Sequence, residues 1–186
     1  YANDYAAIGK ACDQVNIMAY DQQRADVSLN AARAGAPYYP VADLDWVRKV
    51  VLLAAKEIPK EKIVISVPTY GRELSVTTAP NWYKAYDQLW SVSYSYASDT
   101  ASEYGITPAR NGAGELSFSY IPKESTLVIP SSVQAPAGTL SGNLASARAL
   151  AYATASGKTV NFNLVWWSDG VAAKQKVDLA KELGVK

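Results

Sequence analysis

The sequence predicts an α/β fold built around a parallel sheet, and three observations carry that expectation. Val15–Tyr20 (VNIMAY) and Ile63–Val67 (IVISV) are short, almost unbroken apolar runs, the texture of strands covered by helices on both faces. Between them Asp43 precedes Val47, Val50, Val51 and Ala54 at the i, i+3, i+4, i+7 spacing of an amphipathic helix, closed by Pro59. Strand, helix and strand in that order make a right-handed crossover unit of an α/β barrel or an open sheet. In both architectures ligands bind at the carboxyl ends of the strands. Those ends run into Tyr20 and Asp21 on one strand and Tyr70 and Arg72 on the other, which are therefore the first candidate site residues.

The remaining elements follow in order. Asp4 is placed to cap a short helix with Tyr5, Ile8 and Cys12 inward. The polar, Gly- and Pro-punctuated stretch 22–43 reads as a long loop at the first strand's end. After Arg72 helical periods give way to Ser, Thr, Tyr and Gly, the signature of an inserted α+β subdomain. Within it Leu116–Ile121 (LSFSYI) alternates like an antiparallel strand. Thr159–Trp167 (TVNFNLVWW) sets Val160, Phe162 and Leu164 on one face and is its natural partner. Leu144–Ala155, ahead of Gly157, reads as a helix. The last helix, Val171–Leu183, is expected to turn Ala173, Val177, Ala180 and Leu179 or Leu183 inward, with Lys174, Lys176 and Lys181 as a solvated face and Gly184 as its stop.

Composition narrows the chemistry. At 186 residues, 49% hydrophobic and 19% charged, the chain can bury a substantial core. A net charge of +1 points to neither nucleic acid nor an anionic membrane as partner. No apolar run approaches the ~20 residues of a membrane span, and none at Tyr1 has the form of a signal peptide. The lone Cys12 excludes an internal disulfide and is expected to pack as a small apolar group. The absence of histidine removes Ser-His-Asp and Cys-His nucleophile systems and imidazole-ligated zinc. Carboxylates, tyrosines and arginine remain, and no cofactor or metal is called for.

Together, VNIMAYD, APYYPVAD, IVISVPTYGREL and VWWSDGVAAKQKVDLAKELGVK resemble the carboxyl-terminal part of glycoside hydrolase family 18, the chitinase family. The resemblance implies a partial (β/α)₈ TIM-type barrel, the strand six and seven region, with a small α+β insertion. On it, residues 1–75 are barrel, 76–169 the insertion and 170–186 a returning barrel helix. It also implies substrate-assisted retaining hydrolysis of β-1,4-linked N-acetylglucosamine glycans, in which the substrate's own N-acetyl oxygen attacks the anomeric carbon. Tyr20 and Asp21 match the family's MxYD tyrosine and aspartate, donating to the N-acetyl oxygen and orienting the acetamido group. Met18 would line the pocket floor. Tyr70 and Arg72 would form a polar wall, where a guanidinium can fork onto hydroxyls or a carboxylate. A secreted or cell-surface location is implied as well.

Two departures limit what this chain can do. The family's proton-donating glutamate lies in DxxDxDxE, and here no glutamate has an aspartate two positions before it. The chain also ends at the helix that would feed strand eight, without that strand's tryptophan, for which Trp166 and Trp167 are no substitute. The longer protein is then an enzyme and this chain by itself inactive, its remaining barrel strands coming from the same or another chain. The rival readings are a non-catalytic glycan-binding or scaffold protein and an inactive fragment. Single residues also have plainer roles: Asp21 as a helix cap or turn residue, Arg72 as an ion-pair partner of Glu73 or of an insertion carboxylate, Asp43 and Asp45 as capping charges. Trp82, Tyr83, Tyr86, Trp90, Tyr94 and Tyr96 read either as a sugar-stacking wall, with Trp82 the chosen binding residue, or as a subdomain core.

Overall fold

A computed structural model describes residues 3–22 and 36–186. The two apolar runs pair in parallel as β1 (Val15–Ile17) and β2 (Ile63–Ile65), with Val15 opposite Ile63 and Ile17 opposite Ile65. Ahead of β1 lies α1 (Tyr5–Ala11), where Asp4 Oδ1 accepts the Ala7 N–H at 2.9 Å. Between the strands lies α2 (Leu44–Ala54), where Asp43 accepts the N–H groups of Asp45 and Trp46. Its buried Val47 and Val51 pack with Ile58, Ile63 and Ile65 into one core, to which Leu179, Ala180 and Leu183 of the last helix contribute.

Beyond β2 the chain builds an antiparallel sheet. Its strands are β3 (Gly71–Ala79), β4 (Trp82–Val92), β5 (Ala109–Arg110), β6 (Leu116–Tyr120) and β7 (Val160–Trp167), in the order β4-β3-β7-β6-β5. Between β3 and β4 the chain reverses at Asn81, whose φ of 70° lies in the left-handed region that asparagine tolerates. One face of the sheet packs Phe118, Tyr120, Val165 and Trp167 with Ala97 and Ala101 of α3 (Tyr94–Glu103). The other packs Leu74, Val76, Phe162, Leu164 and Trp166 with Ala149 and Ala153 of α4 (Leu144–Ser156). From Leu164 to Trp167 strand β7 thus buries both faces. The final helix, α5 (Gly170–Leu183), is capped by Asp169 and ended by left-handed Gly184. It returns the chain to β2: Lys186 N–H donates to Ile63 O at 3.0 Å and Lys186 O accepts from Ile65 N–H at 2.8 Å, the bonding pattern of a parallel ladder.

At Gly71 β3 lies close against β7. A Cβ there would lie 2.4 Å from Trp167 Cβ and 2.5 Å from Trp166 O, distances that only backbone displacement can relieve. Gly71→Ala is expected to lower stability by at least the ~1–3 kcal/mol typical of overpacking, read as a lower denaturation midpoint in urea. An unchanged midpoint would show that the sheet yields there.

Several expectations are corrected. Both parallel strands are shorter than the apolar runs, and Asn16 of β1 is exposed, so β1 is not the fully covered strand its composition suggested. Helix α1 buries only Gly9, against Ile58; Tyr5 is 39% exposed, and Cys12 is exposed at the helix end instead of packed. The inward stripe of α5 is Ala172, Lys176, Leu179, Ala180 and Leu183. Val177 is exposed and Lys176 is buried, because the lysine amine reaches toward a buried carboxylate, Glu115, while its stem packs like an aliphatic chain. Residues 23–35 of the expected loop lie outside the described residues.

Candidate functional site

The site forms where the segment after β1 meets the start of the β3–β4 hairpin. After Ile17 the chain turns tightly, Tyr20 N–H donating to Met18 O at 3.0 Å. Asp21 then adopts φ 56°, an uncommon conformation for a residue with a side chain. Its Oδ1 lies 2.6 Å from Arg72 Nη2. The same guanidinium donates through Nη1 to Ser91 Oγ on β4 and sits 4.7 Å above the Tyr70 ring. Tyr20 meets Tyr70 edge to face, ring centres 6.1 Å apart. Side-chain exposure separates the roles: Arg72 is 10% exposed and Asp21 31%, so the arginine is anchored within the protein and the carboxylate faces solvent.

Burial, and next the neighbouring Asp21 carboxylate, push the Tyr70 phenol well above its ordinary value, so it stays a neutral donor. Its hydroxyl is buried without an aligned hydrogen bond, as is Arg72 Nε. The structure therefore brings Tyr20, Asp21, Tyr70 and Arg72 together. Arg72 pairs with Asp21, not with Glu73 or a carboxylate of residues 76–169. Met18 adjoins the group but is 68% exposed. Trp82 does not join it: it pairs with Ala79, whereas Arg72 pairs with Ser91. Seven strand positions separate them, about 24 Å at ~3.4 Å per residue.

Two glutamates are buried, which the sequence did not announce. Glu73, fully buried, accepts from Trp90 Nε1 (2.9 Å), Tyr96 hydroxyl (2.7 Å), Asn163 Nδ2 (2.9 Å) and Tyr120 hydroxyl. Glu115, also fully buried, accepts from Val41 N–H (2.9 Å), Ala42 N–H (3.2 Å) and Trp166 Nε1 (2.8 Å), with Lys176 Nζ 3.8 Å away. Burial raises the Glu115 carboxyl against the opposing pull of Lys176 and these donors, and lowers the Lys176 amine. Neither had a clear local signal: Glu73 lies in the Ser- and Thr-rich β3 and Glu115 just ahead of β6. The aromatic set divides: Tyr83 and Tyr86 pack on the core, while Trp82, Trp90, Tyr94 and Tyr96 are exposed. Among the described residues no group of three or more Cys, Asp or Glu stands together as a metal site.

The family model described as glycosyl hydrolases family 18 matches residues 1–186. The chain belongs to this family. The uncharacterized glycosylase YvbX of Bacillus subtilis is 27% identical over 123 residues, 65% of the family 18 chain and 31% of the relative. The spore cortex-lytic enzyme SleL of Bacillus cereus superposes with a TM-score of 0.62 at 21% identity, covering 98% of this chain and 32% of that one. A chitinase of Cycas revoluta, solved in complex with (GlcNAc)3, superposes with a TM-score of 0.52 at 17% identity, covering 98% and 43%. The likenesses to the solved structures establish an α/β fold of the TIM-type family, and the chain spans less than half the length of each of these relatives.

Proposed function

We propose that this family 18 chain is the carboxyl-terminal barrel portion of a glycosidase that cleaves β-1,4-linked N-acetylglucosamine glycans by substrate-assisted retaining hydrolysis. Residues 1–75 supply two barrel strands with their helices, 76–169 an inserted α+β subdomain, and 170–186 the returning helix. The parallel β1–β2 pair and the ladder bonds of Lys186 beside β2 support the barrel assignment. The separate antiparallel sheet supports the insertion. The remaining strands, and the glutamate that protonates the leaving oxygen, come from outside these 186 residues, in the same or another chain. The glycan is met outside the cell.

The observation that carries the chemistry is the Asp21–Arg72 ion pair beside Tyr20 and Tyr70. As the N-acetyl oxygen attacks the anomeric carbon, positive charge develops on the acetamido group and sugar ring. Tyr20 donates to that oxygen and positions it. Asp21, oriented by Arg72, balances the charge. Tyr70 holds the guanidinium from its ring face, and Met18 lines the floor once a neighbouring strand covers it.

The test compares the full-length protein with residues 1–186 on a fluorogenic chitobioside. Only the former is expected to turn over, because general acid catalysis, typically ~10²–10⁴ in rate, needs the missing donor. The isolated chain, with unpaired parallel strand edges, is expected to associate in sedimentation. Equal turnover, or a cooperatively melting monomer, would overturn this reading. Trp82→Ala is expected to leave kcat unchanged and to raise KM only for chains long enough to reach the hairpin tip; a raised KM for the chitobioside itself would place Trp82 nearer than its strand position does.

A further inference from the structure

The Arg72 guanidinium is held from three sides, and the third comes from a strand to which the chemistry above gives no part. Asp21 Oδ1 accepts from Nη2 at 2.6 Å, and the Tyr70 ring lies 4.7 Å from the guanidinium carbon. Ser91 Oγ on β4 accepts from Nη1. A guanidinium bonded at one amino group alone can swing about that bond. Contacts at both amino groups and on its face fix its plane, and with it the direction from which the Asp21 carboxylate is held.

Ser91 reaches Arg72 because the β3–β4 ladder is irregular. Arg72 stands opposite Ser91 and Glu73 opposite Trp90, but Leu74 stands opposite Gln88, so Leu89 is an extra residue in β4. In a regular ladder counted from Gln88, Trp90 would stand opposite Arg72 and Ser91 opposite Gly71. The bulge therefore sets a hydroxyl, not an indole, against the guanidinium. Bulges concentrate beside active sites, where they re-aim a side chain in this way. On the other face of the sheet Trp90 Nε1 donates to buried Glu73 at 2.9 Å, which fixes the strand just past the bulge. Ser91 is itself exposed, so burial of its own side chain does not account for its orientation. We propose that Ser91, delivered by the bulge at Leu89, is a positioning residue for the Asp21–Arg72 pair, through which the β3–β4 hairpin sets the geometry of the carboxylate. The proposal rests on the glycosidase reading above for the reaction that is measured.

The test pairs Ser91→Val with Ser91→Thr in the full-length protein. Both replacements are β-branched, similar in size and suited to a strand, so the hydroxyl is what separates them. On a fluorogenic chitobioside Ser91→Val is expected to lower kcat about tenfold, the low end of what a hydrogen bond to a charged group is worth, with little change in KM. Ser91→Thr is expected to restore most of the rate. In the Asp21→Asn background Ser91→Val should cost nothing further, because it acts through that carboxylate. Independently of turnover, the Arg72 Nε–H resonance is expected to move in Ser91→Val and to stay near the parent's position in Ser91→Thr. Equal kcat in the two variants, or a loss that adds fully to that of Asp21→Asn, overturns the positioning role and leaves the glycosidase reading standing. A resonance that moves only in Ser91→Val, in a parent that does not hydrolyse the chitobioside, upholds the contact and overturns that reading. An unmoved resonance in Ser91→Val overturns the contact itself.

Discussion

Asp21→Asn in the full-length protein is expected to lower kcat about 10²- to 10³-fold, with Tyr20→Phe equal or smaller in effect. Asparagine keeps the shape of the side chain but removes the charge that balances the developing positive charge, so the loss belongs to the transition state and appears in kcat more than in KM. Removing one donor from a well-characterised oxyanion site costs ~2.7–4 kcal/mol, which sets the scale for the Tyr20 hydroxyl. Asp21→Asn also leaves Arg72, 10% exposed in its side chain, without its ion-pair partner. Thermal melts of each variant therefore accompany the kinetics, and a rate loss with an intact melt assigns the effect to chemistry. If both variants keep kcat within about twofold of the parent, under ~0.5 kcal/mol, Tyr20 and Asp21 only shape the turn after β1.

Glu115→Ala is expected to be the most damaging single change to stability, by about 3–5 kcal/mol, the usual cost of breaking a buried charged pair by removing one partner. The carboxylate joins three segments: the backbone at Val41 and Ala42 ahead of α2, the indole of Trp166 on β7, and Lys176 on α5. Truncation strands two N–H groups, an indole donor and a buried amine at once. At ~2–4 °C per kcal/mol for a chain of this size, the melting midpoint falls by roughly 6–20 °C. Lys176→Met, which keeps the aliphatic packing and leaves Glu115 its three N–H donors, should cost less than half as much. A Glu115→Ala protein that melts with the parent would mean that these segments are held by packing alone.

The elements that the sequence announced most clearly were those whose signal is local. Asp43 before α2, Asp4 before α1, and Gly157 and Gly184 after α4 and α5 all occupy the capping positions expected of them, because caps answer to backbone groups within one turn. The alternation in 116–121 and 159–167 foretold the β6–β7 pairing for the same reason. The β3–β4 hairpin was illegible: its Ser, Thr, Tyr and Lys residues lack an apolar period, and β4 is an exposed edge strand held mainly by its ladder with β3. Burial of Lys176 was misread because it depends on Glu115, sixty-one positions earlier.

The candidate site divides along the same line. The sequence by itself determined family membership, through motifs at the ends of two apolar runs, and named Tyr20, Asp21, Tyr70 and Arg72 as residues to watch. Only the tertiary structure decided that Arg72 turns to Asp21 and not to its neighbour Glu73, that Trp82 stands at the far end of the hairpin, and that Glu73 holds Trp90 and Tyr96. The reason is geometric. Successive residues of a strand point to opposite faces, so adjacency in sequence is separation in space, and the partner of a buried charge is chosen by whichever segment the fold brings across from it.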